Sequence, residues 1–204
     1  MSEYDQICRI LDKEFITSNQ KWMIEDKGTL LKPQLVQLDG SGRKNLAWTL
    51  YRFDLDKKDF MPFLNKTHDA PEGLRKFCDY ILLVEASEKS YVLLIEMKRG
   101  DASEAEKQLN ASECFMKYIC SSAERLHRDF AGSTFNRNNV TLLKIKLKKC
   151  KSNKRPTKGA SIDKTQEFIT FESVGDFPIA HFLERIENKS KAGTEAEDVG
   201  AGSR

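Results

Sequence analysis

Long apolar stretches are absent from this sequence. No run approaches the roughly 20 apolar residues that a helix needs to cross a bilayer. The segment Met1–Lys13 carries charges throughout and has no apolar core of a secretory signal. With 39% hydrophobic and 32% charged residues, the composition predicts a soluble, cytoplasmic, globular protein and not a disordered chain.

Paired cysteines are also absent. The five cysteines form no Cys-x-x-Cys pair, their number is odd, and the three histidines lie at no zinc-type spacing from them. We therefore expect reduced thiols and no structural zinc site. The residues concerned are Cys8, Cys78, Cys114, Cys120, Cys150, His68, His127 and His181.

The length of 204 residues fits one substantial domain with a full core. No internal repeat is visible. From about Lys189 the composition turns to Lys, Ala, Gly, Glu and Asp. This change predicts a single domain over 1–188 followed by a disordered tail over 189–204.

Hydrophobic periodicity predicts the order of helices and strands in the rest of the chain. An amphipathic helix is expected over 4–18, strands over 75–84 and 91–98, a long helix over 101–130 and a further strand over 140–150. Two strands, a long helix and another strand, in that order, predict a mixed α/β (α+β) domain.

Three charged residues interrupt the two apolar strands. Asp79 lies in the first strand, and Glu96 and Lys98 lie at the end of the second. Alternation along a strand places Glu96 and Lys98 on one face, about 7 Å apart at ~3.3 Å per residue. Such charges are costly to desolvate unless they are paired or bind a metal, so they are the first candidates for a functional site.

The residues around these charges resemble a known motif. Phe77-Cys78-Asp79 followed by Ile95-Glu96-Met97-Lys98 is similar to the motif of the PD-(D/E)xK nuclease superfamily, although Cys78 stands where the motif name has Pro. Gln108 and Tyr118 on the following helix, and Glu14 on the inward-facing apolar stripe of the first helix, also resemble residues of several branches. The resemblance covers mainly residues 75–120 and implies a restriction-endonuclease-like fold, a central mixed sheet flanked by helices.

The resemblance implies a nuclease that hydrolyses phosphodiester bonds, in DNA more than in RNA, with Mg²⁺ (or Mn²⁺) as cofactor. Phage defence and DNA repair are both open as its role, and it is expected to act alone, as a homodimer or within a larger complex. Hard oxygen ligands suit Mg²⁺, and a lysine beside the metal can orient water or stabilise the transition state. The implied metal ligands are Glu14, Asp79, Glu96 and the carbonyl of Met97, and the implied catalytic residues are Asp79, Glu96, Lys98 and Gln108.

A basic segment follows the long helix. Lys144–Lys158 contains eight basic residues and no acid, and such a patch attracts polyanions even when the net charge of the chain is only +3. The residues expected to contact nucleic acid are Arg99, Lys144, Lys146, Lys148, Lys149, Lys151, Lys154 and Arg155. The same lysines would also suit a solvated edge strand, where they prevent aggregation.

Simpler interpretations exist for each candidate. Glu96 and Lys98 could instead be a solvent-facing pair at a strand end, and Glu14 could lie at the solvent-exposed edge of an apolar stripe. Gln108 could simply lie on a helix surface, and Tyr118 could fill a packing position. An inactive nucleic-acid-binding or scaffolding module on the same fold is therefore the alternative function. A protein-interaction domain that contacts no nucleic acid is the third.

Overall fold

The computed structural model describes residues 1–18, 34–36, 46–53, 77–86, 89–97, 102–130, 135–149, 169–173, 176–179 and 183. The predicted tail over 189–204 lies outside the described residues. In the described part of the chain, no helix combines the length and the apolar composition that a membrane span requires.

The described residues form two helices and seven strands as their main elements. They are α1 (Glu3–Ile10), β1 (Gln34–Val36), β2 (Ala47–Tyr51), β3 (Tyr80–Ala86), β4 (Lys89–Met97), α2 (Ala102–Phe130), β5 (Val140–Lys149), β6 (Ile169–Ser173) and β7 (Asp176–Pro178). Short 3₁₀ turns occur at Lys13–Phe15 and Arg137–Asn139.

The central sheet is mixed and has five strands in the order β2-β3-β4-β5-β6. The pairs β2–β3 and β3–β4 are antiparallel, and the pairs β4–β5 and β5–β6 are parallel. A parallel pair cannot be joined by a tight turn, and the long α2 supplies the crossover from β4 to β5. β1 and β7 form a separate parallel pair. The predicted mixed α/β class is confirmed.

The central strand β4 is buried on both faces. Tyr91, Leu93 and Ile95 belong to one apolar cluster, and Val92 and Leu94 belong to a second cluster that includes α2. A strand covered on both sides needs a nearly continuous apolar sequence. This explains why residues 91–95 are all apolar and why Glu96 is the first charged residue after them. Alternation of faces is therefore observed over 91–95, whereas Lys98, which was predicted to share the face of Glu96, lies outside the described residues.

The long helix α2 covers one face of the sheet. Its buried positions form one stripe, and they are Ala105, Leu109, Ser112, Met116, Ile119, Cys120 and Ala123. The spacing of three and four residues keeps this stripe on the side of the sheet. The stripe brings the first turns of α2 to the end of β4, where the charged residues lie.

The first helix is shorter than the periodicity predicts, and Glu14 is not on its inner face. α1 ends at Ile10, and Leu11 takes an extended conformation with φ −74° and ψ 133°. The side chain of Asp12 then accepts the N–H of Glu14 at 2.9 Å and starts a 3₁₀ turn instead of another helical turn. Glu14 is exposed, so the predicted inward orientation was wrong.

Candidate active site

Asp79 and Glu96 meet at one end of the β3–β4 hairpin. The strand pairing ends with Tyr80 opposite Ile95, so Asp79 and Glu96 lie one position beyond it. The N–H of Asp79 donates to Oε2 of Glu96 at 3.1 Å, and the N–H of Met97 donates to Oδ2 of Asp79 at 2.7 Å. Each carboxylate therefore continues the ladder by binding the backbone of the opposite strand.

The two carboxylates differ in their access to solvent. Glu96 is 0% exposed, whereas Asp79 is only partly buried. Backbone donors offset part of the cost of burying these charges, because a charge-assisted hydrogen bond is stronger than a neutral one. Of the two acids, Asp79 is therefore the one that solvent can reach.

Gln108 joins α2 to the same strand end. Its Nε2 donates to the carbonyl oxygen of Phe77 at 3.3 Å, two residues before Asp79. Its Oε1 is buried and accepts no hydrogen bond from the described residues. Because a buried amide oxygen is costly to leave unsatisfied, Oε1 of Gln108 is a candidate acceptor for a water or a ligand at this strand end.

Ser112 fixes the position of α2 against the site, a role that sequence reasoning missed. Its hydroxyl accepts the N–H of Cys78 at 2.8 Å and donates to the carbonyl oxygen of Gln108 at 2.9 Å. The only sequence signal was a hydroxyl residue inside an apolar stripe. Ser112 therefore ties the residue before Asp79 to the turn of α2 that carries Gln108.

We expect Ser112→Ala to lower the free energy of unfolding by about 1–3 kcal/mol, because the buried N–H of Cys78 loses its acceptor. Denaturation in urea measures this change. Ser121→Ala is the matched control, since Ser121 makes the same helical bond to the carbonyl of Lys117 at 2.8 Å but is exposed. Equal effects of the two substitutions would contradict the role of Ser112.

Cys78 stands where the motif of the PD-(D/E)xK nucleases has Pro, and its thiol is unreactive at neutral pH. The residue is 0% exposed, and its thiol donates to the carbonyl oxygen of Tyr80 at 3.2 Å. Burial is the main cause that raises the pKa of the Cys78 thiol to about 12. A thiol that stays protonated at neutral pH is a poor nucleophile, so Cys78 serves the site by packing.

Lys144 faces α2 and not an open surface. Its Nζ lies 2.9 Å from Oε2 of Glu113 and 2.9 Å from Oδ1 of Asn110, and its side chain is 10% exposed. The hydrogen bond from Lys117, reinforced by Lys144 and opposed by partial burial, holds the pKa of Glu113 below its usual value. Lys144 thus pairs with a carboxylate of α2.

Lys146 is buried more completely than Lys144, with 1% of its surface exposed. In the parallel pairing of β4 and β5 it is the register partner of Glu96. Lys144 and Lys146 were predicted to contact nucleic acid from an exposed strand, and the structure differs because α2 covers the face on which they lie. A run of alternating lysines does not reveal which face of its strand a distant helix covers.

Most of the remaining candidates lie outside the described residues, and they are Lys98, Arg99, Lys151, Lys154 and Arg155. Lys148 and Lys149 are the last residues of β5. Tyr118 is 66% exposed and does not occupy the packing position that was expected of it.

The donor set suits a magnesium ion better than a transition metal. Among the described residues, no group of three or more His, Cys, Asp or Glu side chains that could hold a metal is present, so Glu14 is not grouped with Asp79 and Glu96. Mg²⁺, however, is usually held by only one or two carboxylates and keeps several waters. Asp79 and Glu96, which lie at the same end of the hairpin, would supply that number of carboxylates.

Comparison of the chain with known proteins gives no match. No family model matches it, and no curated protein or solved structure is significantly similar to it. The functional inference therefore depends on the geometry of the site.

Proposed function

We propose that this chain is a divalent-metal-dependent nuclease with a restriction-endonuclease-like core. The observation that carries the proposal is that the carboxylate of Glu96 accepts the N–H of Asp79 and the carboxylate of Asp79 accepts the N–H of Met97, so that two acids lie side by side at one end of the hairpin. A solvent-facing charged pair, the simpler interpretation, is difficult to reconcile with the 0% exposure of Glu96. The order of strand, strand, long helix and parallel strand also supports a fold of this type.

Each side chain has a distinct role in the proposal. Asp79 and Glu96 would hold Mg²⁺ or Mn²⁺, which when bound activates water and offsets the charge of the phosphate. Gln108 donates its amide nitrogen to the carbonyl oxygen of Phe77, and its buried Oε1 would accept a hydrogen bond from the attacking water. Lys98 follows β4 directly in the sequence, and an ammonium group there would orient the attacking water or stabilise the transition state.

DNA is the proposed substrate, with defence against phage or DNA repair as the setting. The cations expected to hold the phosphate backbone are now those beyond the covered part of β5, because Lys144 is paired and Lys146 is buried. Contacts of this kind position a nucleic acid without reading its sequence. The proposal therefore includes no sequence preference.

The direct test is incubation of the purified chain with linear, circular and single-stranded DNA in Mg²⁺, Mn²⁺ or EDTA. We expect cleavage with either metal and none in EDTA. If DNA binds in a salt-dependent manner but remains intact under all conditions, the chain is an inactive nucleic-acid-binding module and the proposal fails.

A further inference from the structure

A lysine on the strand beside β4 is placed next to the buried acid of the site. Glu96 and Lys146 are register partners in parallel strands, and neighbouring strands lie about 4.8 Å apart. The face on which Lys146 lies is fixed by Lys144, two residues earlier, whose Nζ contacts Asn110 and Glu113 of α2. Glu96 lies on the same face of the sheet, two residues beyond Leu94, which packs in the cluster of α2.

Burial makes this juxtaposition energetically important. Glu96 is 0% exposed and Lys146 is 1% exposed, so both charged side chains are held between the sheet and α2. Where two opposite charges are buried side by side, removing one of them costs much more than removing both, because the remaining charge is left uncompensated. Lysine stems are long enough to reach solvent in many settings, but Lys146 does not do so here.

The three charged side chains at this site leave a net negative charge when all are ionised, and a bound cation would neutralise it. Asp79 and Glu96 can carry two negative charges, and Lys146 supplies one positive charge beside them. We propose that Lys146 is a positioning residue: it is the counter-charge that offsets the buried carboxylate of Glu96 before metal binds, and a divalent ion takes over that role on binding. The second half of this inference rests on the proposed function.

Thermal unfolding with and without Mn²⁺ tests the inference. Lys146→Met removes the charge while keeping an unbranched side chain of similar length, and in EDTA it is expected to lower the melting temperature by roughly 10 °C. Because Mn²⁺ then supplies the missing positive charge, its affinity should rise about tenfold. The melting temperature of this variant should therefore increase with Mn²⁺ by about 3–6 °C more than that of the wild type.

Two further variants separate pairing from packing. The double variant Glu96→Gln with Lys146→Met carries neither charge, so it should melt above both single variants, and it remains informative if Lys146→Met alone does not fold. Lys144→Met is the matched control on the same strand and face. It loses the contact with Glu113 but should show the Mn²⁺ increment of the wild type.

The possible outcomes separate the two halves of the inference. Additive effects of the Glu96 and Lys146 substitutions, with the same Mn²⁺ increment in Lys146→Met as in the wild type, would show that Lys146 only fills space and would overturn the inference. If Mn²⁺ raised the melting temperature of neither the wild type nor any variant, the proposed metal function would be overturned. The proposal that a metal ion replaces Lys146 as the counter-charge would be overturned with it. Non-additivity would in that case still identify Lys146 as the counter-charge of Glu96.

Discussion

Asp79→Asn is expected to reduce metal-dependent DNA cleavage by roughly 10²- to 10³-fold or more, because loss of a metal ligand removes several kcal/mol of transition-state stabilisation. The protein should remain folded. The amide oxygen of Asn can still accept the N–H of Met97, which now lies 2.7 Å from Oδ2 of Asp79. The substitution therefore removes charge from the site while keeping the contact between the strands.

The equivalent substitution of the second acid, Glu96→Gln, should lower the stability of the protein as well as its activity. Glu96→Gln is expected to lower cleavage by a similar factor, and its amide oxygen can keep the bond from the N–H of Asp79. It also leaves Lys146 without the negative charge of its register partner, so we expect a lower melting temperature as well. The difference between the two variants would reflect their different burial.

Initial rates at saturating Mg²⁺, calorimetric metal affinity and melting temperature should be measured together. Glu3→Gln is a suitable control, since Glu3 is another buried acid, 8% exposed. Its carboxylate accepts the backbone N–H of Asn136 and the side chain of Asn139, both at 3.2 Å. Wild-type cleavage by Asp79→Asn, or an equal loss in Glu3→Gln, would contradict the assignment of the site.

The meeting of Asp79 and Glu96 was accessible from sequence because it depends on local pairing. Two apolar runs separated by a short polar segment pair as a hairpin, and antiparallel register then brings the start of one strand to the end of the other. Tyr80 opposite Ile95 is the result. The helix that brings Gln108 to this end was predictable for a similar reason, since α2 begins within a few residues of β4.

The positions that sequence reasoning missed depend on contacts between distant segments. A strand pattern gives two faces for β5 but does not say that α2 covers the one with Lys144 and Lys146. The end of α1 was missed because the side chain of Asp12 competes for a backbone N–H that a continued helix would use. In each case a single long-range or side-chain contact outweighed the local periodicity.

The second large expected effect concerns the packing beneath the site. Leu94 is 0% exposed, lies two residues before Glu96 and belongs to the cluster between the sheet and α2. Leu94→Ala would leave a cavity there and should lower the free energy of unfolding by about 2–5 kcal/mol. Domains are typically stable by only about 5–15 kcal/mol, so this loss would be a large fraction of the total.

Urea denaturation in EDTA measures the effect of Leu94→Ala, and Leu142→Ala is its matched control. Leu142 packs against the same cluster from β5 but is only partly buried, so its truncation should cost less, about 1–2 kcal/mol. Leu94→Ala should also keep most of its cleavage at low temperature, because the carboxylates of Asp79 and Glu96 are held by backbone N–H groups. If cleavage fell in Leu94→Ala as far as in Asp79→Asn while the protein stayed folded, α2 packing and not the backbone bonds would position the two acids.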